Sequence, residues 1–166
     1  MKTFSFENLE AWKQSRELVL LVYQIQSSFP SYERYGLGDQ LRRAVVSVSS
    51  NFVEGNARYS KKEQIHFIEI AIGSLMEVYC QLTLAFDLEY VTSEQLCMCS
   101  EKIDCVLKLL NGLRYQKINS LNSKQKTNPP TPTSNVQRPT SNIQRPTSNI
   151  QHPTSNIQHP TSNIQH

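Results

Sequence analysis

The sequence predicts an all-α protein, an antiparallel up-down four-helix bundle followed by a disordered C-terminal repeat tail. Three observations predict it. Four stretches before residue 120 space their apolar residues at helical intervals, and the breaks between them carry Pro, Gly or helix-capping residues. No strand-like alternation runs longer than a few residues, and short connections between helices favour antiparallel neighbours. The chain has 166 residues with 38% hydrophobic and a mean hydropathy of −0.46, but the average hides two different halves. Residues 1–120 suffice for one domain with a core, whereas residues 121–166 hold almost nothing to bury.

The first helix is expected from about Glu7 to Ser28. It carries two apolar stripes, Leu9, Trp12, Val19, Leu20 and Tyr23 on one side and Leu18, Val22 and Ile25 on the other. Phe29-Pro30 ends it, because the residue before Pro is pushed out of the α region. Gly38-Asp39 offers an N-cap for the second helix. There Leu41, Ala44, Val45, Val48 and Phe52 face the core, beside a polar ladder of Gln40, Arg43, Ser47, Asn51 and Glu54. Such a ladder needs partners, from another helix or from a neighbouring subunit. Glu54-Gly55-Asn56 is expected to end this helix, Gly being favoured just past a helix end.

Ser60-Lys61-Lys62-Glu63 fits a capping box and opens a third helix reaching about Phe86. Its main face is expected to be Ile65, Ile68, Ile72, Leu75, Met76, Tyr79 and Phe86, with Phe67, Ala71, Val78 and Ala85 on another. Gly73, mid-helix, costs about 1 kcal/mol relative to Ala, so a close helix–helix approach is expected there. Thr92 or Ser93 caps the fourth helix, expected to run to about Gln116 with Leu96, Cys99, Ile103, Val106, Leu107, Leu110 and Leu113 inward. Double stripes on the first and third helices predict self-association, since a lone bundle would leave them wet.

Charge divides along the same line. Lys124, Lys126, Arg138 and Arg145 leave 13 of the 17 Lys and Arg in residues 1–120, against all 14 Asp and Glu. The bundle is thus near neutral, and a generally basic nucleic-acid-binding domain is excluded. From Pro132 the tail is five seven-residue units, Pro-Thr-Ser-Asn-Ile/Val-Gln-Arg/His. Pro in every unit forbids a coiled coil, and one Ile or Val per unit cannot build a core. Composition alone predicts an extended, dispensable segment. Neither an apolar leader nor a run approaching 18 apolar residues occurs, which predicts a soluble, cytoplasmic protein with no membrane partner.

Catalytic and metal constellations are missing from the pattern. No phosphate-cradling Gly loop, nucleophile elbow or His-Glu-x-x-His motif occurs. Glu63-x-x-His66 stands once where a di-metal bundle needs two such pairs. Cys97 and Cys99 point about 200° apart on a helix, so Cys80, Cys97, Cys99 and Cys105 are expected to be ordinary reduced thiols. The expectation is a protein that is not an enzyme, with neither cofactor nor metal. What remains is a set of cations, Arg42 and Arg43 opening the second helix, then Arg58, Lys61 and Lys62 at the turn into the third. They stand roughly 22 Å apart, measured from Arg43 to Arg58, as two small patches that oligomerisation could join into a band. Phosphate binding is the functional reading of them, a solvated surface with a structural Arg43 the plain one. Asn51, Glu54 and Glu77 are expected to be structural, as half-buried polar groups that hydrogen-bond one another.

Five pieces in register carry a resemblance. They are Phe6-Glu7-x-Leu9-x-x-Trp12-Lys13, Phe29-Pro30-x-x-Glu33-x-Tyr35-Gly36-Leu37, Gln40-Leu41-Arg42-Arg43-Ala44, Asn51-Phe52-Val53-Glu54-Gly55 and Ala71-x-Gly73-Ser74-Leu75-x-Glu77. Over about residues 4–117 the chain resembles the four-helix-bundle proteins of the 23S rRNA intervening-sequence family. The resemblance implies a bacterial homopentamer, and marks Arg43, Asn51, Glu54, Gly55, Gly73, Ser74 and Glu77 as fold- and interface-specifying. A related branch serves diversity-generating retroelements, where a basic pentamer engages a reverse transcriptase and nucleic acid; this bundle departs from it in not being basic. Three functions follow as expectations: an oligomeric bundle binding structured RNA or DNA, a protein adaptor such as a reverse-transcriptase partner, and an enzyme with an interior site.

Overall fold

The computed structural model of the protein describes residues 3–126. A 3-10 turn, Ser5–Asn8, leads into α1 (Glu10–Gln26), and a second, Ser31–Glu33, precedes α2 (Leu37–Asn56); α3 spans Lys61–Asp87 and α4 Ser93–Lys126. Among the described residues there is no strand. The disordered repeat tail expected from residue 121 lies, from residue 127 on, outside the described residues. Residues 121–126 instead complete α4, beyond the end expected at Gln116. No Pro or Gly interrupts the chain between Leu113 and Lys126; Asn128 is the residue disfavoured in a helix by the Pro that follows it.

One buried stripe from each helix builds the core. Leu18, Val22 and Ile25 of α1 meet Leu41, Ala44, Val45, Val48 and Phe52 of α2, all five of the expected α2 set. α4 contributes Cys99, Ile103, Val106 and Leu110, with Leu96, Leu107 and Leu113 packed against them. α3 corrects the expectation. Its core stripe is Ile68, Ala71, Leu75, Val78, Leu82 and Ala85, while Met76, Tyr79 and Phe86 of the expected main face are exposed. The inner stripe alternates the small Ala71, Val78 and Ala85 with the bulky Ile68, Leu75 and Leu82, so the face toward α2 and α4 is rotated from the expected one. α3 is long and apolar enough by composition to pass for a membrane span, with a mean hydropathy of 1.4 over an 18-residue window of which a third is buried. That window averages over Gly73, Ser74 and Thr83, so it arises without an unbroken apolar run.

Cross-helix contacts set the neighbours and their directions. Ser47 meets Ser74 and Gly55 lies against Phe67, so later α2 residues face earlier α3 ones. Gln64 and Glu69 of α3 bond Lys117 and Arg114 of α4, and Glu17 and Gln14 of α1 bond Lys102 of α4. Gln26 of α1 bonds Arg42 of α2. The two connectors at one end are tied by the Tyr32 and Tyr90 hydroxyls, 3.3 Å apart.

The helix ends differ from the sequence expectation in instructive ways. α1 starts at Glu10, not Glu7, because Leu9 stands extended (φ −77°, ψ 131°) and sends its side chain to the core. Phe6, on the 3-10 turn before it, sets its ring edge-on to Trp12 at 5.2 Å. α2 starts at Leu37, whose N–H donates to the Glu33 carboxylate at 2.9 Å, so Gly38-Asp39 lies inside the helix instead of capping it. Ser60 is the N-cap of α3 but its hydroxyl makes no cap bond. The reciprocal box forms at α4 instead, where Thr92 and Gln95 each accept the other's backbone N–H at 3.3 and 2.9 Å. α3 ends on Glu89 in the left-handed region (φ 60°), with Tyr90 N–H on Ala85 C=O at 2.8 Å and Glu89 N–H on Phe86 C=O at 2.9 Å.

Gly55 and Gly73 exchange the roles expected of them. Gly55 does not stop α2, which continues to Asn56. It lets α3 approach, since a Cβ there would stand 2.7 Å from Phe67 Cβ. Gly73 faces outward, and a Cβ would meet nothing within 4 Å. Gly55→Ala should therefore destabilise the bundle by about 1–3 kcal/mol through overpacking, and Gly73→Ala should stabilise it by up to about 1 kcal/mol. Urea melts of the two variants check both signs.

Candidate nucleic-acid interface

The two cationic clusters stand at opposite ends of α2, and the fold treats them differently. At the first end Arg42 is woven into the connector. Its guanidinium donates to Gln26 Oε1 at 3.0 Å and the Arg34 carbonyl at 3.1 Å, and pairs with Asp39 at 3.3 Å. Arg43 is the exposed one, 75% against 26% for the Arg42 side chain, with a single ion pair to Asp39 at 3.2 Å. The structural arginine is therefore Arg42 and not Arg43. Position on the helix decides this: Arg42 is turned toward the α1–α2 seam, where Gln26 and a connector carbonyl wait for a donor. Asp39 partly neutralises both.

At the other end cations from the α2–α3 turn, α3 and α4 come together. Arg58, just past α2, pairs with Glu54 one turn back and lays its guanidinium 4.8 Å from the Phe67 ring centre. Its carbonyl accepts from the Gln64 side chain, whose oxygen in turn accepts from Lys117 Nζ at 2.9 Å. Lys117 thereby comes over the first turn of α3. Burial, and secondarily the positive charge of Lys61, hold its pKa below the ordinary lysine value. Lys61 is half-buried and Lys62 exposed, and neither has an ion pair among the described residues. Tyr59, between Arg58 and these lysines, is 103% exposed.

Lys117 is the member that sequence reasoning missed. Nothing near Ile118 or Gln116 singles it out; it joins the cluster only through the α3–α4 register. By the same register α4 runs past the start of α3 by ~9 Å. Every residue after Asp104 in the sequence is neutral or basic.

The polar ladder of α2 is satisfied in its middle within the chain. Ser47 and Ser74 share a hydrogen bond of 2.9 Å, and Asn51 Nδ2 donates to the Ser47 carbonyl and hydroxyl at 2.8 and 2.9 Å. Glu54 is exposed and bonded to Arg58; Glu77 is exposed and does not join the ladder. The Glu77 expectation fails because one turn beyond Gly73 continues along the same outward face. Between α1 and α2 lies an apolar groove of about 550 Å³, lined by Phe6, Trp12, Val19, Val46 and Val53 with Arg16 and Glu54 among its polar residues. Ser49 also lines it, and its buried hydroxyl has no hydrogen-bond partner among the described residues. The thiols are free: Cys80 and Cys97 exposed, Cys105 half-buried, and Cys99 buried, which pushes its pKa up to about 11.

Four helices with a hydroxyl seam at the centre and a mixed surface define the class, a small four-helix-bundle protein. The family model for the 23S rRNA-intervening sequence protein matches residues 7–112, and the chain belongs to that family. A crystal structure of a protein of unknown function from the S23 ribosomal protein family of Bacteroides thetaiotaomicron has a similar fold. Its TM-score is 0.59 at 21% identity, over 63% of this chain and 95% of that one. No curated protein matches the sequence.

Arg42→Ala should lower stability by about 1–3 kcal/mol, because it strands the Gln26 and Arg34 acceptors. Arg43→Ala should stay within about 0.5 kcal/mol, as exposed ion pairs do. Denaturant unfolding of the pair tests the assignment; equal losses would sink it.

Proposed function

We propose that this protein is a non-enzymatic, homo-oligomeric bundle that binds structured RNA through the phosphate backbone at the α2–α3 end. The observation that carries the reading is the convergence there of Arg58, Lys61, Lys62 and Lys117 from three segments, with Lys61 and Lys62 outside any ion pair among the described residues. A cation held near a like charge and partly desolvated gains most from an incoming anion. Arg42 and Arg43 are weaker candidates, since Asp39 already sits on both. Affinity should fall steeply with salt, and Lys61→Gln with Lys62→Gln should weaken binding and lower the log–log salt slope by about one per lost phosphate contact. Fluorescence anisotropy with a labelled rRNA hairpin reads both; a flat salt titration refutes the reading.

Self-association is supported by apolar side chains left wet on two faces. Leu20, Tyr23 and Val46 are exposed along α1 and α2, and Met76, Tyr79 and Phe86 along α3. Joining copies would bury this surface and repeat the basic end around the assembly, multiplying weak phosphate contacts. The same faces suit a protein partner, such as a reverse transcriptase, if RNA is ignored. Val46→Asp, which puts a charge beside Tyr23 and the α1–α2 groove, should reduce the mass seen by light scattering without unfolding the chain. An unchanged mass would place the interface elsewhere.

A further inference from the structure

We propose that Tyr59 is a stacking platform for an unpaired RNA base, so that the α2–α3 end selects single-stranded nucleotides over duplex; this rests on the RNA-binding reading above. The ring gains nothing from the fold. It is 103% exposed, whereas Tyr23 and Tyr79 on the helix faces retain partial cover at 44% and 48%. Its hydroxyl makes no hydrogen bond among the described residues. A single exposed aromatic is ordinary on a protein surface; what marks Tyr59 is that its free ring face stands in sequence beside lysines with no ion pair among the described residues.

The turn that carries it is held from both sides. Ala57 and Arg58 N–H groups bond to α2 carbonyls at 3.1 Å, and the Arg58 carbonyl accepts from the Gln64 side chain. The ring is thus presented from a fixed backbone, which lowers the ordering cost of binding. Arg58 does not cover it, because its guanidinium is committed to Phe67 and Glu54. Lys61 and Lys62 follow two and three residues on, and Lys117 lies against the first turn of α3 beside Lys61, so phosphates flanking a stacked base would meet cations. Glu63 is the carboxylate of this first turn and is exposed; Glu54 is held by Arg58. Exposed aromatics beside a cationic track are the chemistry of single-strand binding. An A-form duplex keeps its base faces covered and offers no ring surface to Tyr59.

Tyr35 shows that exposure alone is not the signal. It is 87% exposed beside Arg34, but its surroundings include the Glu33 and Asp39 carboxylates, and Arg42 nearby is already satisfied.

The test uses the full chain with an oligo(U) RNA of about twelve nucleotides, within the usual site size, and an RNA duplex of equal length. Anisotropy titrations should favour oligo(U). Tyr59→Ala should weaken oligo(U) binding about tenfold while leaving duplex binding and the salt slope unchanged, and Tyr59→Phe should retain the wild-type affinity. Lys61→Gln should instead lower the salt slope on both probes. Oligo(U) binding by Tyr59→Ala equal to wild type overturns the stacking assignment and leaves the phosphate reading standing. Failure of the wild-type chain to bind either RNA overturns both.

Discussion

The close seam between α2 and α3 is the constraint on which the rest depends. Its small residues are Gly55, Ser47 and Ser74, and they fill the line where the two helices cross. At one end Gly55 admits the Phe67 Cβ side to side. In the middle a hydroxyl pair, itself bonded by Asn51, satisfies polar groups that two packed helices would otherwise strand. Because the approach is close, the turn joining the helices is short, and Arg58, Tyr59 and Lys61 are set at fixed places on the bundle end. Phe67 serves both purposes: its Cβ meets the position of Gly55 and its ring carries the Arg58 guanidinium. Loosening the seam would move the core and the basic end together.

How much of this was legible in the sequence depends on what each feature requires. Periodicity identifies a face, and on α2 and α4 the face found is the core: Leu41, Val45, Val48, Ile103 and Leu110 are where their spacing put them. It identifies a face without saying which neighbour lies there. On α3, apolar residues surround most of the helix, so spacing alone ranked bulky Met76, Tyr79 and Phe86 inward. The buried stripe instead joins Ala71, Val78 and Ala85 to Ile68, Leu75 and Leu82, a face that only the positions of α2 and α4 define. Gly55 and Gly73 were exchanged for the same reason. A glycine near a helix end and a glycine mid-helix look alike to propensity, and only the neighbouring helix distinguishes a required contact from an open face. The family resemblance, by contrast, was legible in five short pieces and holds over residues 7–112.

The candidate site was half legible. Arg58, Lys61 and Lys62 are adjacent in sequence and stay together; Lys117 is more than fifty residues away and enters through the register of α3 on α4. Arg42 and Arg43 are neighbours whose roles diverge by one residue, because 100° of helix rotation takes one to the α1–α2 seam and leaves the other in water. Charge counting bears on the whole bundle and not on its ends. The bundle is near neutral as a whole, yet Asp39, Glu33, Asp87, Glu89 and Glu94 gather around the connectors at one end, while the acid-free final stretch of the chain carries α4 out beyond the other. Neutrality of the sum therefore says little about either end.

The distinction between these ends follows from how polar groups are spent in a small bundle. At the connector end Arg42 closes the gap between Gln26 and Arg34, Glu33 accepts the first N–H of α2, and Tyr32 and Tyr90 bond to each other, while the Arg34 and Arg43 side chains stay exposed. At the α2–α3 end the fold uses Arg58, Glu54, Gln64 and Lys117, and Ser60 leaves its cap bond unmade. Lys61, Lys62 and Tyr59 enter none of these bonds among the described residues. Desolvated donors with partners resist a ligand, since binding must first break what they already have; donors without partners lose only water. On that criterion Lys61 and Lys62, outside any ion pair among the described residues, are what favours the α2–α3 end in the proposed RNA-binding reading.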